Sequence, residues 1–324
     1  MAFALTGARV FDGESIHNEM AVVIDGSRIA EVVAVENLPK DIERRVLKAG
    51  LLVPGFIDVQ VNGGGGALLN DNPTVNTVRR IAESHRKFGT TGMLPTVITD
   101  APEILLKAIT AVKVARTENI PGVLGIHIEG PFLDKDRKGA HEAQFIREMT
   151  EADVAQIANA DCGSVMLTLA PNRVAPNLIT SLAGKGVLVS LGHSEANVAE
   201  VTKALASGAR AFTHLFNAMS QLNGREPGMV GAALSDLNSF CGLIADGYHV
   251  HYAALRVALA AKPHSRIMLV TDAMPTAAGG PDSFELQGRK IHLKNGKLQL
   301  DDNTLAGSNL TMDEAVRFCV ERLG

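Results

Sequence analysis

The stretch GIHIEGPFLD, residues 125–134, places two polar residues inside a pattern typical of a buried strand. Ile126 and Ile128 alternate with His127 and Glu129, so the two polar side chains share one face by the two-residue period of a strand. A carboxylate at the end of a core strand needs a partner for its charge. The stretch therefore predicts a buried strand that carries chemistry at its end.

Eight segments of the chain, this one included, have short apolar runs rich in β-branched residues. They span residues 52–62, 92–98, 123–130, 165–171, 187–193, 211–216, 241–247 and 266–272. Amphipathic helical windows such as residues 102–116 lie between most of them, which indicates parallel strands joined by crossover helices. Eight such units match the length of a (β/α)8 barrel, roughly 250 residues. The sequence therefore predicts an α/β fold with a TIM-type barrel over residues 51–324.

A doubly wound open sheet is the alternative fold for the same alternation. The glycine-rich stretch NGGGG, residues 62–66, follows the first predicted strand, but neither GxGxxG spacing nor GK[ST] accompanies it. It therefore carries no nucleotide-binding fingerprint. We expect these glycines to let the backbone pass close to another segment.

Residues 1–50 have a different pattern and predict a small separate β domain. ALTGARVFDG (4–13) and MAVVIDGSRIAEVVAV (20–35) alternate β-branched runs with Asp-Gly turns. Such turns between short alternating runs are typical of antiparallel hairpins.

Composition excludes several classes of function. The 31 basic and 35 acidic residues give a net charge of −4 and no polybasic run, which argues against binding nucleic acid or anionic lipid. Cys162, Cys241 and Cys319 are far apart and form no CxxC pair, which argues against a disulfide framework or a thiolate zinc site. The N-terminus lacks the pattern of a signal peptide. We therefore expect a cytoplasmic protein.

Four chemically competent side chains lie at or near the ends of predicted strands, namely Glu129, His193, His214 and Asp272. Taken alone, a strand-end histidine is more often structural and a carboxylate often caps the next helix. Barrel active sites, however, form at the carboxyl ends of the strands, where all four would converge. Buried together, these groups need a pairing charge.

A divalent metal would supply that charge. Two imidazoles and one carboxylate form a three-ligand catalytic zinc set, so Glu129, His193 and His214 are the predicted ligands. Asp272 is then the predicted proton shuttle for a metal-activated water.

A series of motifs, in order from about residue 8 to the end of the chain, resembles the N-acetylglucosamine-6-phosphate deacetylases of the amidohydrolase superfamily. The motifs are PGFIDVQVNGGGG (54–66), GIHIEGPFL (125–133), KGAHE (138–142), LGHSEA (191–196), THLFNAM (213–219), GREPGMVGAAL (224–234), ADGYHV (245–250) and VTDAM (270–274). The resemblance implies a metal-dependent amidohydrolase acting on a linear amide. Its expected reaction converts N-acetyl-D-glucosamine 6-phosphate to D-glucosamine 6-phosphate and acetate, in amino sugar catabolism and recycling.

The resemblance assigns the metal to the same three ligands. Many amidohydrolases bind a second metal through an HxH pair, but the matching positions here are Gln60 and Asn62, both weaker ligands. One divalent ion per subunit is expected, with Gln60 at most completing a weak second site. Zinc suits the ligands best, and Fe²⁺, Co²⁺ or Mn²⁺ are alternatives.

The resemblance also assigns the acid–base and substrate residues. Asp272 is the expected general base and then acid, and His141 is expected to hydrogen-bond the carbonyl oxygen as charge builds there. Asn217, the Ala218 amide, Arg225 and His249 are the expected phosphate contacts. The complete set of implied substrate contacts is Ala140, His141, Asn217, Ala218, Arg225, Asp246, Gly247, Tyr248, His249, Leu305, Ala306 and Gly307. Relatives imply a homodimer in which Arg225 and His249 reach the neighbouring subunit's site.

The other histidines are interpreted as less active chemically. We assign His127 a structural role and expect His251 to open the helix after the seventh strand. Four more are expected on the surface: His17, His85, His264 and His292.

The chain departs from the resembled family at its C-terminal end. Relatives continue with a helical segment and strands that complete the N-terminal β unit. We therefore expect a truncated chain whose residues 1–50 form an incomplete β sandwich with exposed edges.

Two other functions remain open at this point. Dihydroorotases and deaminases use similar barrels, but the phosphate contacts at Asn217, Ala218 and Arg225 would be useless for an unphosphorylated pyrimidine. A non-catalytic sugar-phosphate-binding protein would not need the proton shuttle at Asp272.

Overall fold

The N-terminal region forms two small sheets in the computed structural model, which describes residues 2–324. Its strands are β1 (Phe3–Thr6), β2 (Arg9–Phe11), β3 (Ile16–His17), β4 (Met20–Asp25), β5 (Arg28–Ala34), β6 (Glu43–Val46) and β7 (Leu51–Leu52). The sheet orders are β5-β4-β1-β6 and β3-β2-β7. The predicted β4–β5 hairpin is present, but β1 pairs with β6, and β2 with β7, in parallel. Parallel pairs join segments distant in sequence, which hairpin signals do not predict.

The outer strands of the four-stranded sheet are open to solvent. Ile29 on β5 is 66% exposed and Val46 on β6 is 71% exposed. On the covered side, Ala4, Ala21 and Leu38 belong to a small separate core. β5 and β6 are the outer strands of this sheet, and each pairs with one neighbour in it.

The strands of the eight-stranded sheet alternate with helices along the chain, and five further short strands lie outside that sheet. The strands are β8 (Phe56–Val61), β9 (Gly63–Gly64), β10 (Ala67–Leu68), β11 (Thr90–Ile98), β12 (Gly125–Glu129), β13 (Ser164–Leu169), β14 (Leu188–Leu191), β15 (Ala211–Phe212), β16 (Phe240–Leu243), β17 (Ile267–Leu269), β18 (Ser283–Leu286), β19 (Arg289–Lys294) and β20 (Lys297–Gln299). The helices are α1 (Val75–Arg86), α2 (Pro102–Thr117), α3 (Glu151–Ala158), α4 (Pro176–Gly184), α5 (Val198–Ala206), α6 (Gly228–Ser235), α7 (Tyr252–Ala261) and α8 (Met312–Arg322). None of the helices within residues 2–324 is long and apolar enough to cross a membrane.

Eight parallel strands form one sheet in the order β8-β11-β12-β13-β14-β15-β16-β17. The end of β8 meets the segment after β17, because Val61 bridges Ala273 in parallel and the Asp272 amide donates to the Gln60 carbonyl at 2.9 Å. The sheet thereby closes as a (β/α)8 barrel, and the predicted fold class is confirmed. The chain divides into two compact units at the junction between Gly55 and Phe56.

Local sequence signals explain where several helices begin. Thr150 with Asp153, Asn197 with Glu200, and Thr311 with Glu314 form capping boxes at α3, α5 and α8. His251 caps α7 by accepting a hydrogen bond from the Ala253 amide, as predicted.

The glycine-rich stretch after β8 packs tightly against α1. A Cβ on Gly64 would lie 2.4 Å from His85 Nε2, and a Cβ on Gly65 would lie 2.1 Å from Ser84 Oγ. His85 is fully buried there, with Nε2 2.9 Å from the Gly63 carbonyl oxygen. The expectation that His85 is a surface residue is therefore wrong, because the missing glycine side chains make room for its ring.

A three-stranded antiparallel sheet, β18-β19-β20, was not predicted by the sequence analysis. Its turns at Gln287-Gly288 and Asn295-Gly296 have positive φ at both positions, which is the type I′ geometry that Asn-Gly favours. This sheet supports the barrel loops, since Gln287 Nε2 donates to the Thr99 carbonyl and Arg289 donates to the Ala140 carbonyl.

Gly125, at the start of β12, can be used to test how closely β12 packs against β13. A Cβ at Gly125 would lie 1.9 Å from the Ser164 carbonyl oxygen of β13, so Gly125→Ala must push two core strands apart. Overpacking of this kind typically costs about 1–3 kcal/mol. We expect a lower midpoint of thermal unfolding by circular dichroism.

Gly184→Ala is the matched control, because a Cβ there has no neighbour within 4 Å and alanine favours the helix. Equal midpoints for the two variants would contradict this packing of β12 on β13.

Candidate active site

The carboxyl ends of four barrel strands bring the predicted chemical groups together. Glu129 is the last residue of β12, and His193, His214 and Asp272 follow the ends of β14, β15 and β17. Glu129, His193 and His214 are buried, and Asp272 is half-buried. The strand-end rule therefore located a shared site at the mouth of the barrel.

Three of these residues direct ligand atoms at one another. Glu129 Oε1 lies 3.2 Å from His193 Nε2 and 3.0 Å from His214 Nε2, and the two Nε2 atoms are 3.0 Å apart. In a tetrahedral zinc site with Zn–N distances of about 2.0–2.1 Å, ligand atoms are about 3.3–3.4 Å apart. The spacing of the three atoms therefore fits one small divalent cation.

The hydrogen bond of His193 to the backbone also fits a metal centre. His193 Nδ1 lies 2.9 Å from the Arg137 carbonyl oxygen, so Nδ1 carries the proton and Nε2 presents its lone pair to the centre. Two imidazole nitrogens at 3.0 Å need a proton or a cation between them. The donor set therefore suits a metal ion.

Without a metal, protons compete for the same position. Burial alone would raise the pKa of Glu129, but hydrogen bonds from His193 and His214 outweigh it and hold the pKa well below its usual range. Burial alone would lower the pKa of His214, but the Glu129 carboxylate outweighs it and raises the pKa. Acid therefore favours the protonated cluster over the metal-bound one.

Asp272 lies beside this cluster and lines the same cavity. Burial, and then the charge of Glu129, raise the pKa of Asp272 to about 6. Its Oδ1 accepts hydrogen bonds from Asn62 Nδ2 at 2.6 Å and from Gln60 Nε2 at 3.2 Å. Asp272 is therefore a carboxylate held in place by neutral donors, with a pKa close to the range where it can both take and return a proton.

Gln60 connects the two carboxylates of the site. Its Nε2 also donates to Glu129 Oε1 at 3.1 Å. An amide nitrogen is a donor, so in this orientation the nitrogen of Gln60 faces the two carboxylates.

Left-handed backbone at the strand ends aims the side chains into the mouth. The φ angles are 48° at His193, 31° at His214 and 52° at Asp272. Non-glycine residues in this region cost of order 1–3 kcal/mol each and cluster at functional sites.

A cavity of about 370 Å³ contains the cluster. Eleven of the predicted residues line it: Glu129, Ala140, His141, His193, His214, Asn217, Ala218, His249, Asp272, Leu305 and Gly307. Asn62, Asp136, Arg137 and Thr304 also line it but were not predicted as substrate contacts. Asn62 is part of the motif PGFIDVQVNGGGG and follows β8, and Arg137 directly precedes the motif KGAHE. Those positions are the signal that could have identified them.

His249 lines the cavity of its own chain. Its Nδ1 lies 2.6 Å from Asp246 Oδ2. Asp246 therefore contacts His249 and does not line the cavity itself.

Other predicted substrate contacts lie outside this cavity. Tyr248 borders a separate surface pocket, Gly247 is exposed, and Ala306 is buried in a cluster with Leu286. Arg225 is exposed on the loop before α6.

His127 is structural, as the sequence indicated. Burial lowers its pKa to about 4, and its Nε2 lies 2.8 Å from the Thr168 hydroxyl inside the barrel.

Comparison with known protein families decides the classification. Residues 51–299 match the model of the amidohydrolase family, and residues 2–52 match the NagA composite domain. The chain belongs to the amidohydrolase family. The resemblance stated from the motifs is confirmed.

Similar proteins are named as amino sugar phosphate deacetylases. An N-acetylgalactosamine-6-phosphate deacetylase of a Shewanella species is 45% identical over 86% of this chain and 70% of that protein. An N-acetylglucosamine-6-phosphate deacetylase of Haemophilus influenzae is 34% identical over 99% of this chain and 84% of that protein. The crystal structure of the N-acetylglucosamine-6-phosphate deacetylase from Pasteurella multocida has a TM-score of 0.96 and 33% identity, covering 100% of this chain and 85% of that chain.

The geometry predicts which histidines of the amidohydrolase bind the metal. His214→Ala removes a ligand atom. Losing a residue that only hydrogen-bonds to a ligand lowers metal affinity by about 10–100-fold, so we expect a larger fall here. Metal content after dialysis against a graded chelator measures this loss.

His141→Ala is the matched control, because His141 is also buried in the cavity but belongs to no ligand cluster. Equal metal loss in both variants would show that the three-atom cluster is not the binding site.

Proposed function

We propose that this amidohydrolase hydrolyses N-acetyl-D-glucosamine 6-phosphate to D-glucosamine 6-phosphate and acetate. The observation that carries the proposal is the position of Asp272, a carboxylate held by Asn62 beside a Glu-His-His cluster in one cavity. A pure binding protein has no need for that carboxylate. The names of the similar proteins support the substrate class.

A divalent cation held by Glu129, His193 and His214 would supply Lewis-acid activation of water and of the acetamide carbonyl. Zinc is our proposal, since two imidazoles and one carboxylate suit it, with Fe²⁺, Co²⁺ and Mn²⁺ as alternatives.

Asp272 moves the proton in the proposed reaction. Its carboxylate takes a proton from the attacking water as the water oxygen bonds to the acetamide carbon. The same proton then passes to the nitrogen as the C–N bond breaks, because an amine leaves only when it is protonated. Hydrogen bonds from Asn62 and Gln60 keep the carboxylate in place for both transfers.

His141 is proposed to donate to the carbonyl oxygen. Burial, then the charge of His193, hold the pKa of His141 well below its usual range, so the ring is neutral. The Thr99 hydroxyl lies 2.8 Å from His141 Nδ1 and also donates to the Glu129 carbonyl oxygen at 3.3 Å. Donation from His141 to the substrate requires the tautomer with the proton on Nε2, in which Thr99 donates to Nδ1 instead and Nε2 can stabilise developing negative charge.

The rest of the cavity is proposed to hold the sugar phosphate. Asn217, the Ala218 amide and His249 would bind the phosphate, and Ala140, Leu305 and Gly307 would contact the sugar. Asp246 would orient His249.

We further propose a homodimer in which Arg225 reaches the phosphate bound by the neighbouring subunit. The exposed position of Arg225, outside the cavity of its own chain, supports this arrangement. A cytoplasmic location is also proposed, supported by the three cysteines, none of which is paired among the described residues.

N-acetyl-D-galactosamine 6-phosphate is a second candidate substrate. The specific observation in its favour is the 45% identity to the Shewanella enzyme of that name. The two sugars differ only in the configuration at C4.

Acetate release from both sugar phosphates tests the proposed function and its base together. We expect wild type to prefer the glucosamine compound and Asp272→Asn to lose about 10²–10⁴-fold in kcat while retaining its metal, because Asp272 is not a ligand. Near-normal turnover by Asp272→Asn would remove Asp272 from the mechanism. Faster turnover of the galactosamine compound would favour the second candidate.

Arg225→Ala tests the phosphate contact. Losing a charge-assisted hydrogen bond should raise KM for the phosphorylated sugar by about tenfold or more and leave the slow use of free N-acetylglucosamine unchanged. Arg28→Ala, an exposed arginine on the N-terminal unit, is the control. Equal losses on both sugars would count against phosphate binding by Arg225.

A further inference from the structure

Asp58 is a fully buried carboxylate that the proposed chemistry does not use. It lies on β8 and faces the segment after β17. Its Oδ2 accepts a hydrogen bond from the Thr271 hydroxyl at 2.5 Å, and its Oδ1 accepts from the amides of Gln60 at 3.1 Å and Thr271 at 3.3 Å. These partners are all neutral, so burying this carboxylate is costly and needs a reason.

The Thr271 hydroxyl connects Asp58 to the backbone around Asp272. It donates its one proton to Asp58, and it accepts a hydrogen bond from the Ala273 amide at 3.2 Å. The hydroxyl of the residue before Asp272 thereby fixes the amide of the residue after it. Asp272 lies at the apex of this turn with φ at 52°.

Further hydrogen bonds fix the same turn from outside. Ser308 Oγ donates to the Thr271 carbonyl at 2.5 Å, and the Ser308 amide donates to the Asp272 carbonyl at 2.9 Å. A non-glycine residue keeps a left-handed backbone only where its surroundings determine it. Among these surroundings, the hydrogen bonds of Asp58 and the Thr271 hydroxyl hold both residues next to Asp272, namely Thr271 and Ala273.

We propose that Asp58 and Thr271 are positioning residues that hold Asp272 where it can exchange a proton with the substrate. This inference rests on the proposed deacetylase function. Neither residue lines the cavity, so both act through Asp272 and not by touching the substrate. Misplacing a reacting group by about 1 Å can cost about 10²-fold in rate.

Two substitutions at Thr271 separate the hydroxyl from the shape of the side chain. Thr271→Val keeps the volume but removes the hydroxyl, and we expect kcat to fall about 10–100-fold with KM and bound metal unchanged. Thr271→Ser keeps the hydroxyl and should stay close to the wild-type kcat. A wild-type kcat in Thr271→Val would overturn the proposal.

Thr90→Val is the matched control for the loss of a buried hydroxyl. Thr90 is 4% exposed, and its hydroxyl has no hydrogen-bond partner within residues 2–324. Its substitution should leave kcat unchanged. A kcat loss in Thr90→Val equal to that in Thr271→Val would show a general packing effect and would also overturn the proposal.

The role of Asp58 is tested by its coupling to Thr271. Asp58→Asn can still accept from the two amides but presents a donor to the Thr271 hydroxyl. We expect this change to lower kcat in the wild-type background and to have no further effect in the Thr271→Val background. If Asp58→Asn changes kcat equally in both backgrounds, or changes it in neither, Asp58 does not act through Thr271 to position Asp272.

A failure of the proposed function would be recognised separately, since wild type would then release acetate from neither sugar phosphate. Crystal structures of wild type and Thr271→Val still decide the positioning role in that case. Displacement of the Asp272 carboxylate from Asn62 Nδ2 supports it, and an unchanged carboxylate overturns it.

Discussion

The rest of the structure depends on three buried ligand atoms that meet within 3.2 Å of one another. A carboxylate oxygen and two imidazole nitrogens at that distance repel one another unless positive charge lies between them. The Arg137 carbonyl fixes His193 from behind, so its Nε2 faces the other two ligand atoms. The same arrangement that is costly without a cation is a selective site for one.

Backbone conformation at the strand ends is the second constraint. His193, His214 and Asp272 all have left-handed φ angles, so each strand delivers its side chain into the mouth while the chain turns away. That strain is offset by hydrogen bonds that tie the loops together. The Gly63 and Gly65 amides, for example, donate to the carbonyls of Ala273 and Ala277 at 2.8 Å. The glycine-rich stretch thereby supports the segment that carries Asp272.

An outer layer of structure shapes the cavity without contributing to the chemistry. The β18-β19-β20 sheet donates hydrogen bonds through Gln287 and Arg289 to the carbonyls of Thr99 and Ala140. Thr99 in turn contacts His141. Contacts of this kind connect a surface sheet to a residue at the reaction centre, so changes in the sheet can alter the orientation of that histidine.

The sequence by itself determined the barrel and the ligand set, because both follow from short-range patterns. The two-residue period identified β12, and the rule that barrel chemistry lies at strand ends selected Glu129, His193 and His214. The Asn295-Gly296 signal could also have predicted the β19–β20 hairpin. Local patterns show which face of an element is buried, but they do not show which loops meet. Burial of His85 depends on a glycine from another element, and Asp58 and Thr271 are 213 residues apart. Only closure of the barrel brings such pairs together, so only the tertiary structure could show what holds Asp272 in place.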